Sequence, residues 1–382
     1  MKADLVKVYD RLMENCSAAG FAGYDPFDGL ESRIFQTTPL RHFRSTRLLW
    51  QQAVKRSPIN LRPLLMVAKG VNSKGLALFA LAAISRGRSG DGGSDQTADD
   101  LIRMLLECGI ESENSIAFGY NFDWQSRAFF APRGTPTIVP TAFAARAIFE
   151  QGGPESEKTL ARLARFVTTE LNRSIETTDE VCFSYTPIDH TKIYNASLLA
   201  GEVLAYAGGV ENSLLARKAV QFVLNGQRED GSWLYGPGEI HGWVDNFHTA
   251  FVLDSLRRIS DLMPGLKAEI EPAIDRGFEY WIKRFFLDDG TPKYFDQQTY
   301  PIDIHAAAAA MVTLTGFAGT DERALPLARK VAEWAIKNMI GPDGNTYYQK
   351  RRFITIKTPF IRWGQAWMAY ALALLIEAEA AK

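Results

Sequence analysis

Apolar residues in this chain follow two helical patterns that alternate along most of its length. One kind of segment has apolar residues at intervals of three and four with charged residues opposite them, as in residues 157–171 and 324–340. This spacing is typical of a helix that packs one face against a core. The other kind is rich in alanine and apolar on nearly every side, as in residues 73–84 and 306–314. The alternation therefore predicts helical hairpins with one amphipathic and one fully buried member.

The fully buried helices recur at a nearly constant interval. Five of them open at residues that lie 53 to 59 positions apart: Pro140, Asn195, His248, His305 and Gly364. Residues 73–84 add an earlier helix of the same kind. About six hairpins that bury their faces only against neighbours can close into a ring or stack as an open solenoid. The contrast between inner and outer helices predicts an all-α fold, an α/α toroid with short β-hairpin turns at one end.

The chain is predicted to form a single domain, residues 1–382, whose repeat body spans residues 61–382. Residues 1–60 hold one amphipathic helix and then a segment dense in Pro, Gly, Arg and aromatic residues. We expect these 60 residues to form a leader that wraps the ring. Residues 85–100 are of low complexity and are predicted to be an exposed loop.

The composition is that of a globular protein with little net charge. Hydrophobic residues make up 46% of the chain and the formal net charge is −1. This balance lacks the basic excess of nucleic-acid-binding proteins, so we predict no nucleic-acid partner. No apolar run approaches the roughly 20 residues of a membrane span, and the first residues do not resemble a signal peptide. The three cysteines are scattered, as expected of free thiols in a cytoplasmic protein. No cofactor is predicted.

Aromatic and polar residues cluster just before each fully buried helix. We call these five segments the mouth: residues 117–140, 181–195, 232–248, 291–305 and 345–364. In a toroid they gather at the N-terminal ends of the inner helices, where free N–H groups favour anionic or oxygen-rich ligands. Each segment contains Tyr or Trp, which either fill the loops or offer flat faces to sugar rings. The tryptophans predicted to contact a ligand are Trp124, Trp233, Trp243 and Trp363.

Four of the five histidines also lie in the mouth. Histidine titrates near neutral pH and can remove or deliver a proton. We predict His248 or His305 as a general base, with Tyr300 or Tyr194 as the opposing acid. Further ligand contacts are predicted for four mouth residues: Arg133, His190, His241 and Arg362. The arginines are included because a guanidinium can grip a carboxylate through two hydrogen bonds.

Two aspartates of the mouth have alternative interpretations. Asp245 and Asp303 stand just before helices, where they would cap free N–H groups. They could instead form the acid/base pair of a glycoside hydrolase. Asp245 also shares one turn with His241 and His248, but no further Cys or Glu completes a metal site, and no metal is predicted.

One repeat unit resembles a known motif. The run from Arg217 to Trp233, with Gln227 and the turn Asp230-Gly231 in it, is similar to the Gln-to-Trp repeat of triterpene cyclases and related prenyltransferase-like toroids. In that family the repeat ties helices together, and the catalytic acid lies in an Asp-x-Asp-Asp motif. This chain lacks that motif, so the resemblance does not imply polyene protonation.

A broader resemblance covers the whole arrangement of a toroid with aromatic, His, Tyr and Arg residues at its mouth. It is similar to polysaccharide lyases, glucuronyl epimerases, unsaturated-uronyl hydrolases and toroid proteins of bacterial exopolysaccharide gene clusters. The segments 24–30, 56–65 and 362–367 resemble the last group. This resemblance implies a protein that acts on an acidic glycan or its precursor, with other polysaccharide-biosynthesis proteins as further partners.

Three functional hypotheses follow. The first is an enzyme that abstracts a proton from an acidic sugar or hydrolyses a glycosidic bond. The second is a glycan-binding or scaffold subunit without catalytic activity. The third is an isoprenoid-binding toroid, which would need a deep apolar cavity behind the mouth.

Overall fold

The computed structural model describes residues 2–90 and 94–381. Its α-helices in chain order are α1 (Lys2–Ala18), α2 (Arg33–Gln36), α3 (Arg44–Arg56), α4 (Ser73–Arg88), α5 (Ser94–Glu107), α6 (Ile138–Gln151), α7 (Pro154–Thr169), α8 (Tyr194–Ala207), α9 (Val210–Asn225), α10 (Asn246–Leu262), α11 (Lys267–Phe285), α12 (Ile304–Gly316), α13 (Ala324–Met339) and α14 (Trp367–Ala380). A π-helical turn, Ile361–Ala366, leads directly into α14.

Short antiparallel strands connect the helices. They are β1 (Ala22–Gly23) with β2 (Gly70–Val71), β3 (Ile110–Glu111) with β4 (Ile116–Ala117), β5 (Trp124–Gln125) with β6 (Phe130–Ala131), β7 (Arg173–Glu176) with β8 (Val181–Phe183), and a sheet of β11 (Thr355–Ile356), β10 (Gln349–Lys350) and β9 (Ile302–Asp303) in that order. The chain is thus mainly helical, with hairpins in the connections.

Six helices form a closed inner ring. Each packs against the next in the order α4, α6, α8, α10, α12 and α14, and α14 packs against α4. Six outer helices cover them: α5, α7, α9, α11, α13 and α1. The predicted all-α toroid of six hairpins is confirmed, and it is a ring rather than an open solenoid. Helix α1, which the sequence analysis assigned to the leader, supplies the sixth outer helix by packing on α14.

Small side chains allow the inner helices to pack closely on every side. The alanines from Ala306 to Ala310 on α12 are all almost completely buried. Gly201 on α8 faces α9, where an added Cβ would lie only 3.2 Å from the Cβ of Ala219. A larger residue there would push the two helices apart, because protein interiors are close-packed.

The connection between α4 and α5 differs from expectation. Residues 85–100 were predicted to form an exposed loop, but α4 continues through Arg88 and α5 begins at Ser94. Ser85 and Ser94 are buried, so helix packing overrides the polar composition of this stretch. Residues 91–93 lie outside the described residues.

Charged residues meet in the middle of the ring. Arg146, Glu202 and Asp254 are each the ninth residue of their inner helices, α6, α8 and α10. The Arg146 guanidinium donates to both carboxylates at 2.8–2.9 Å. Arg258 adds a second cation 3.1 Å from Asp254. We call these four residues the ion layer; all its charges are paired, as buried charges generally must be.

Candidate active site

A cavity of about 500 Å³ opens at the N-terminal ends of the inner helices. Residues from all six inner positions line it: Lys74, Val139, Asn195, His248, His305 and Arg362. Its volume falls within the range of about 300–1,000 Å³ that small-molecule sites occupy. The structure thus brings mouth segments from distant parts of the chain to one concave surface.

The leader supplies another wall of the same cavity. Helix α3 contributes side chains from Leu48 to Arg56, and Phe27 comes from the segment before it. Gln51 of α3 accepts a hydrogen bond from the backbone N–H of Gln125 at 3.2 Å, which anchors the helix to the β5–β6 hairpin. The leader therefore forms part of the site, which the sequence analysis did not anticipate.

Asp245 holds His248 in a defined orientation. Its carboxylate accepts the backbone N–H of His248 at 3.0 Å, so Asp245 is the cap of α10. It also lies 2.6 Å from His248 Nδ1 and accepts the Trp243 indole N–H at 2.9 Å. A carboxylate on Nδ1 fixes the orientation of the ring, and no residue that the structure describes forms a hydrogen bond with its Nε2.

His305 has a different environment. Only 1% of the residue is exposed, and its ring stacks on Trp363 at 4.1 Å. Nδ1 lies 3.3 Å from the Trp363 carbonyl oxygen, and a carbonyl can only accept, so Nδ1 carries the hydrogen. Nε2 is buried and has no hydrogen-bond partner among the described residues. Burial, with the charges of Lys74 and Arg362, holds the pKa of His305 well below its usual value. The ring is therefore neutral, with a lone pair on Nε2.

Aromatic rings cover much of the remaining wall. The Trp124 ring lies 5.3 Å from that of Tyr185 and 6.1 Å from that of Tyr120. Trp243 stacks on Tyr235 at 4.7 Å. Burial raises the pKa of the three tyrosines, so they remain protonated. The wall therefore offers flat apolar faces and hydroxyl donors together.

Several residues predicted from the sequence line this cavity and others lie elsewhere. Those on the cavity wall are Trp124, His241, Trp243, Asp245, His248, His305, Arg362 and Trp363. Those outside it are Arg133, His190, Tyr194, Trp233, Tyr300 and Asp303. The tyrosine acids proposed from sequence are thus replaced on the wall by Tyr120, Tyr185, Tyr235 and Tyr294.

Three of the residues outside the cavity have structural partners. Asp303 caps α12 through the backbone N–H of His305 at 2.9 Å and accepts the Trp363 indole N–H at 2.8 Å. Trp233 is buried and donates its indole N–H to the carbonyl of Val223 at 2.9 Å. Tyr194 packs against Phe222 at 5.0 Å. The Asp303 contacts link two neighbours of the inner ring, and the Tyr194 contact links inner helix α8 to outer helix α9.

The other three lie towards the surface. His190 is exposed, and Tyr300 is 37% exposed. The Arg133 side chain is 66% exposed and lies 3.8 Å from the carboxylate of Glu31. They belong to the mouth segments by sequence, but the loops direct them away from the cavity. Sequence position alone could not separate them from the residues that line the wall.

The cavity is more cationic than the whole chain. Among the described residues that line it, five are Lys or Arg and one, Asp245, is acidic. Arg362 is already paired, since it donates two hydrogen bonds to Asp25 at 2.7 and 2.8 Å. Lys55 and Lys74 were not singled out by the sequence, because one lies in the leader and the other starts an apolar helix.

No metal site is evident. In the described ranges, no group of three or more His, Cys, Asp or Glu side chains is arranged to hold a metal ion. None of the helices in those ranges combines the length and apolar character that crossing a bilayer requires.

Comparison with known proteins relates the chain to solved structures but to no sequence family. No family model matches the sequence, and no curated protein matches it. A cellobiose 2-epimerase from Bacillus thermoamylovorans superposes with a TM-score of 0.60 at 12% identity, covering 82% of this chain and 90% of its own. A glycosyl hydrolase of family 88 from Bacteroides vulgatus gives 0.61 at 9% identity, covering 100% and 99%. A heparin-specific unsaturated glucuronyl hydrolase gives 0.55 at 13% identity, covering 82% and 88%. At such identities the likeness concerns the fold: this chain has the α/α-toroid architecture of these enzymes.

Proposed function

We propose that the protein is an enzyme that moves a proton on the carbon skeleton of an acidic sugar or glycan, as epimerases and lyases do. The observation that carries this proposal is the pair of histidines in one aromatic cavity. Each has its Nδ1 engaged by the protein, and no described residue forms a hydrogen bond with its Nε2. Two such nitrogens in one site can take up and return a proton.

The two histidines suit opposite roles. His305 is neutral with a lone pair on Nε2, so it is the base that removes a proton bound to carbon. His248 takes the role of the acid, because Asp245 lies 2.6 Å from its Nδ1 and holds the ring in place at the cavity wall. In an epimerase, the electron pair of the broken C–H bond delocalises into an adjacent carbonyl or carboxylate, and His248 returns a proton to the opposite face. In a lyase, the same electron pair expels a glycosidic oxygen, which takes up a proton as it leaves.

The charge of the cavity favours this chemistry over hydrolysis by two carboxylates. That mechanism requires a pair of acidic side chains at the bond to be cleaved. Asp245 is the one acidic residue among the described residues on the wall, and it is engaged by His248 and Trp243. The polar and cationic wall also favours an acidic sugar over an isoprenoid. An epimerase, a glycosyl hydrolase and a glucuronyl hydrolase share this fold, which supports a sugar substrate.

The test is solvent hydrogen exchange. Uronic acids, their short oligosaccharides and the matching neutral sugars are incubated with the protein in D₂O and followed by proton NMR. In an epimerase we expect deuterium to enter one C–H position with inversion. In a lyase we expect the signal of that C–H to disappear as an ultraviolet-absorbing double bond forms. His305→Gln and His248→Gln should each lower the rate by about 10²–10⁴-fold, the usual contribution of a general acid or base.

A matched control comes from the remaining histidine of the leader. His42 is exposed and lies outside the cavity, so His42→Gln should retain the full rate. Release of free sugar without exchange would instead indicate hydrolysis. Binding without turnover by wild-type protein would indicate a glycan-binding subunit.

A further inference from the structure

Lys74 is a buried lysine that forms no ion pair with any residue the structure describes. It is the second residue of α4, lines the cavity and is 2% exposed. Its Nζ lies 4.2 Å from the centre of the Phe143 ring, 5.1 Å from Trp367 and 5.2 Å from Phe251. Within residues 2–90 and 94–381, no carboxylate and no other hydrogen-bond acceptor lies within bonding distance of this Nζ. The rings stabilise the charge but accept none of its three N–H groups in an ordinary hydrogen bond.

Lys55, which is partly exposed, makes similar contacts with aromatic rings on the leader. It lies in the last turn of α3 and lines the same cavity. Its Nζ lies 3.8 Å from the centre of the Phe27 ring and 5.6 Å from Trp363. As with Lys74, no described residue supplies it with an acceptor. The ring that stacks on His305, Trp363, is thus also close to Lys55.

Such lysines are costly to the fold unless a ligand uses them. Burial lowers the pKa of Lys74 well below its usual value, and the charges of Arg362 and Arg146 add to this. Burial lowers the pKa of Lys55 to about 8. An apolar residue of similar length would fill either aromatic box without this cost. The arginines nearby do not share the problem, because Arg362 is paired with Asp25 and Arg146 belongs to the ion layer.

We propose that Lys74 and Lys55 form an anion subsite that binds the acidic group of the sugar while the histidines face its carbon skeleton. This inference rests on the proposed function and assigns its substrate specificity to two residues. For a uronic acid, the bound group is the carboxylate next to the C–H bond that is broken. Ammonium groups at that carboxylate stabilise the negative charge that develops on it when the proton leaves. A sugar phosphate offers the same anionic oxygens and is the other source of such a ligand.

Isothermal titration with matched sugars tests the subsite. Glucose, mannose and galactose are each compared with the 6-phosphate and with the uronic acid of the same series. The variants are Lys74→Met and Lys55→Met, with Lys337→Met as the control, since Lys337 is exposed on the outer helix α13. We expect each cavity variant to weaken the preferred anionic sugar at least tenfold and to change the neutral sugar less than twofold. Lys337→Met should match wild type.

The outcomes separate the subsite from the proposed function. If wild-type protein binds neutral and anionic sugars equally, or if both cavity variants keep the anionic affinity, the subsite is wrong while sugar binding stands. If no sugar of any series binds, both inferences are wrong. Preference for the phosphate over the uronic acid identifies the source of the anion and supports the subsite. Lys55 lies on α3, outside the inner ring. The Lys55→Met variant therefore provides the same test if the Lys74→Met variant does not fold.

Discussion

The ring contains two sets of buried charges that differ in one respect. In the ion layer, Arg146 meets Glu202 and Asp254 at 2.8–2.9 Å, and every charge has a partner. In the cavity, Lys74 is 2% exposed and the Nε2 of His305 is buried, yet neither group has a hydrogen-bond partner among the described residues. The Phe143 ring contacts both sets, 5.0 Å from Arg146 and 4.2 Å from Lys74.

This difference distinguishes charges that stabilise the fold from polar groups that are available to a ligand. A buried charge that is paired with other residues of the protein holds helices in register and requires no ligand. A buried polar group without a partner is a cost that folding alone does not explain. Lys74 and His305 both line the cavity, where a ligand can supply the missing partner. Removing charges from each set and measuring the free energy of unfolding tests this difference.

The largest effect is expected in the ion layer. Arg146→Met leaves Glu202 and Asp254 buried with less positive charge, so the free energy of unfolding should fall by about 3–5 kcal/mol. Urea denaturation followed by circular dichroism measures this loss. The control is Arg165→Met on the exposed face of α7, which should change stability by less than about 0.5 kcal/mol. Equal stability of the two variants would contradict a structural role for the layer.

Replacing Arg362 tests whether a charge on the cavity wall can have a structural role like that of the ion layer. Arg362→Met leaves the buried Asp25 carboxylate without its two hydrogen bonds, and we expect a loss of about 3 kcal/mol. Asp25→Asn combined with Arg362→Met should recover part of it, because no charge is then left alone. If Arg362→Met keeps full stability but loses affinity for anionic sugars, the arginine belongs to the ligand instead.

Lys74→Met should stabilise the protein, in contrast to Arg146→Met and Arg362→Met. Methionine fits the aromatic box and removes an unpaired cation, so the free energy of unfolding should rise by about 0.5–2 kcal/mol, the range of other stabilising substitutions. Thermal unfolding without ligand measures the gain. A loss of stability would mean that Lys74 has a structural role like that of Arg146.

A smaller effect of pH on the free energy of unfolding is expected from His305. Burial, Lys74 and Arg362 lower its pKa in the folded state, so between the folded value and the unfolded value of about 6.5 the unfolded chain binds more protons. Stability therefore falls as pH drops through this window, by at most about 1.4 kcal/mol per pH unit. His305→Gln removes this contribution, so wild type should lose more stability than the variant between pH 7 and pH 5. Parallel curves for the two proteins would contradict a neutral, buried His305.

The periodicity of the sequence was sufficient for the architecture and for part of the site. Alternating amphipathic and alanine-rich helices predicted the toroid. The residues that open the inner helices included His248 and His305, both of which line the cavity. Position within a mouth segment was not sufficient to identify the residues that line the cavity, as Tyr300 and His190 show. Both lie in mouth segments, but the direction of a loop side chain depends on packing that has no period in the sequence.

The local pattern of residues is enough to define the helices and the end of each inner helix that carries polar residues, because burial imposes a repeat on that pattern. The pairing of charges follows only from the three-dimensional packing. Asp25 and Arg362 are 337 positions apart and meet because the leader folds over the mouth. Lys55 reaches the cavity for the same reason, and Lys74 is recognised as unpaired only once its surroundings are known. Pairing depends on distances of a few ångströms between distant segments, and local sequence patterns do not contain them.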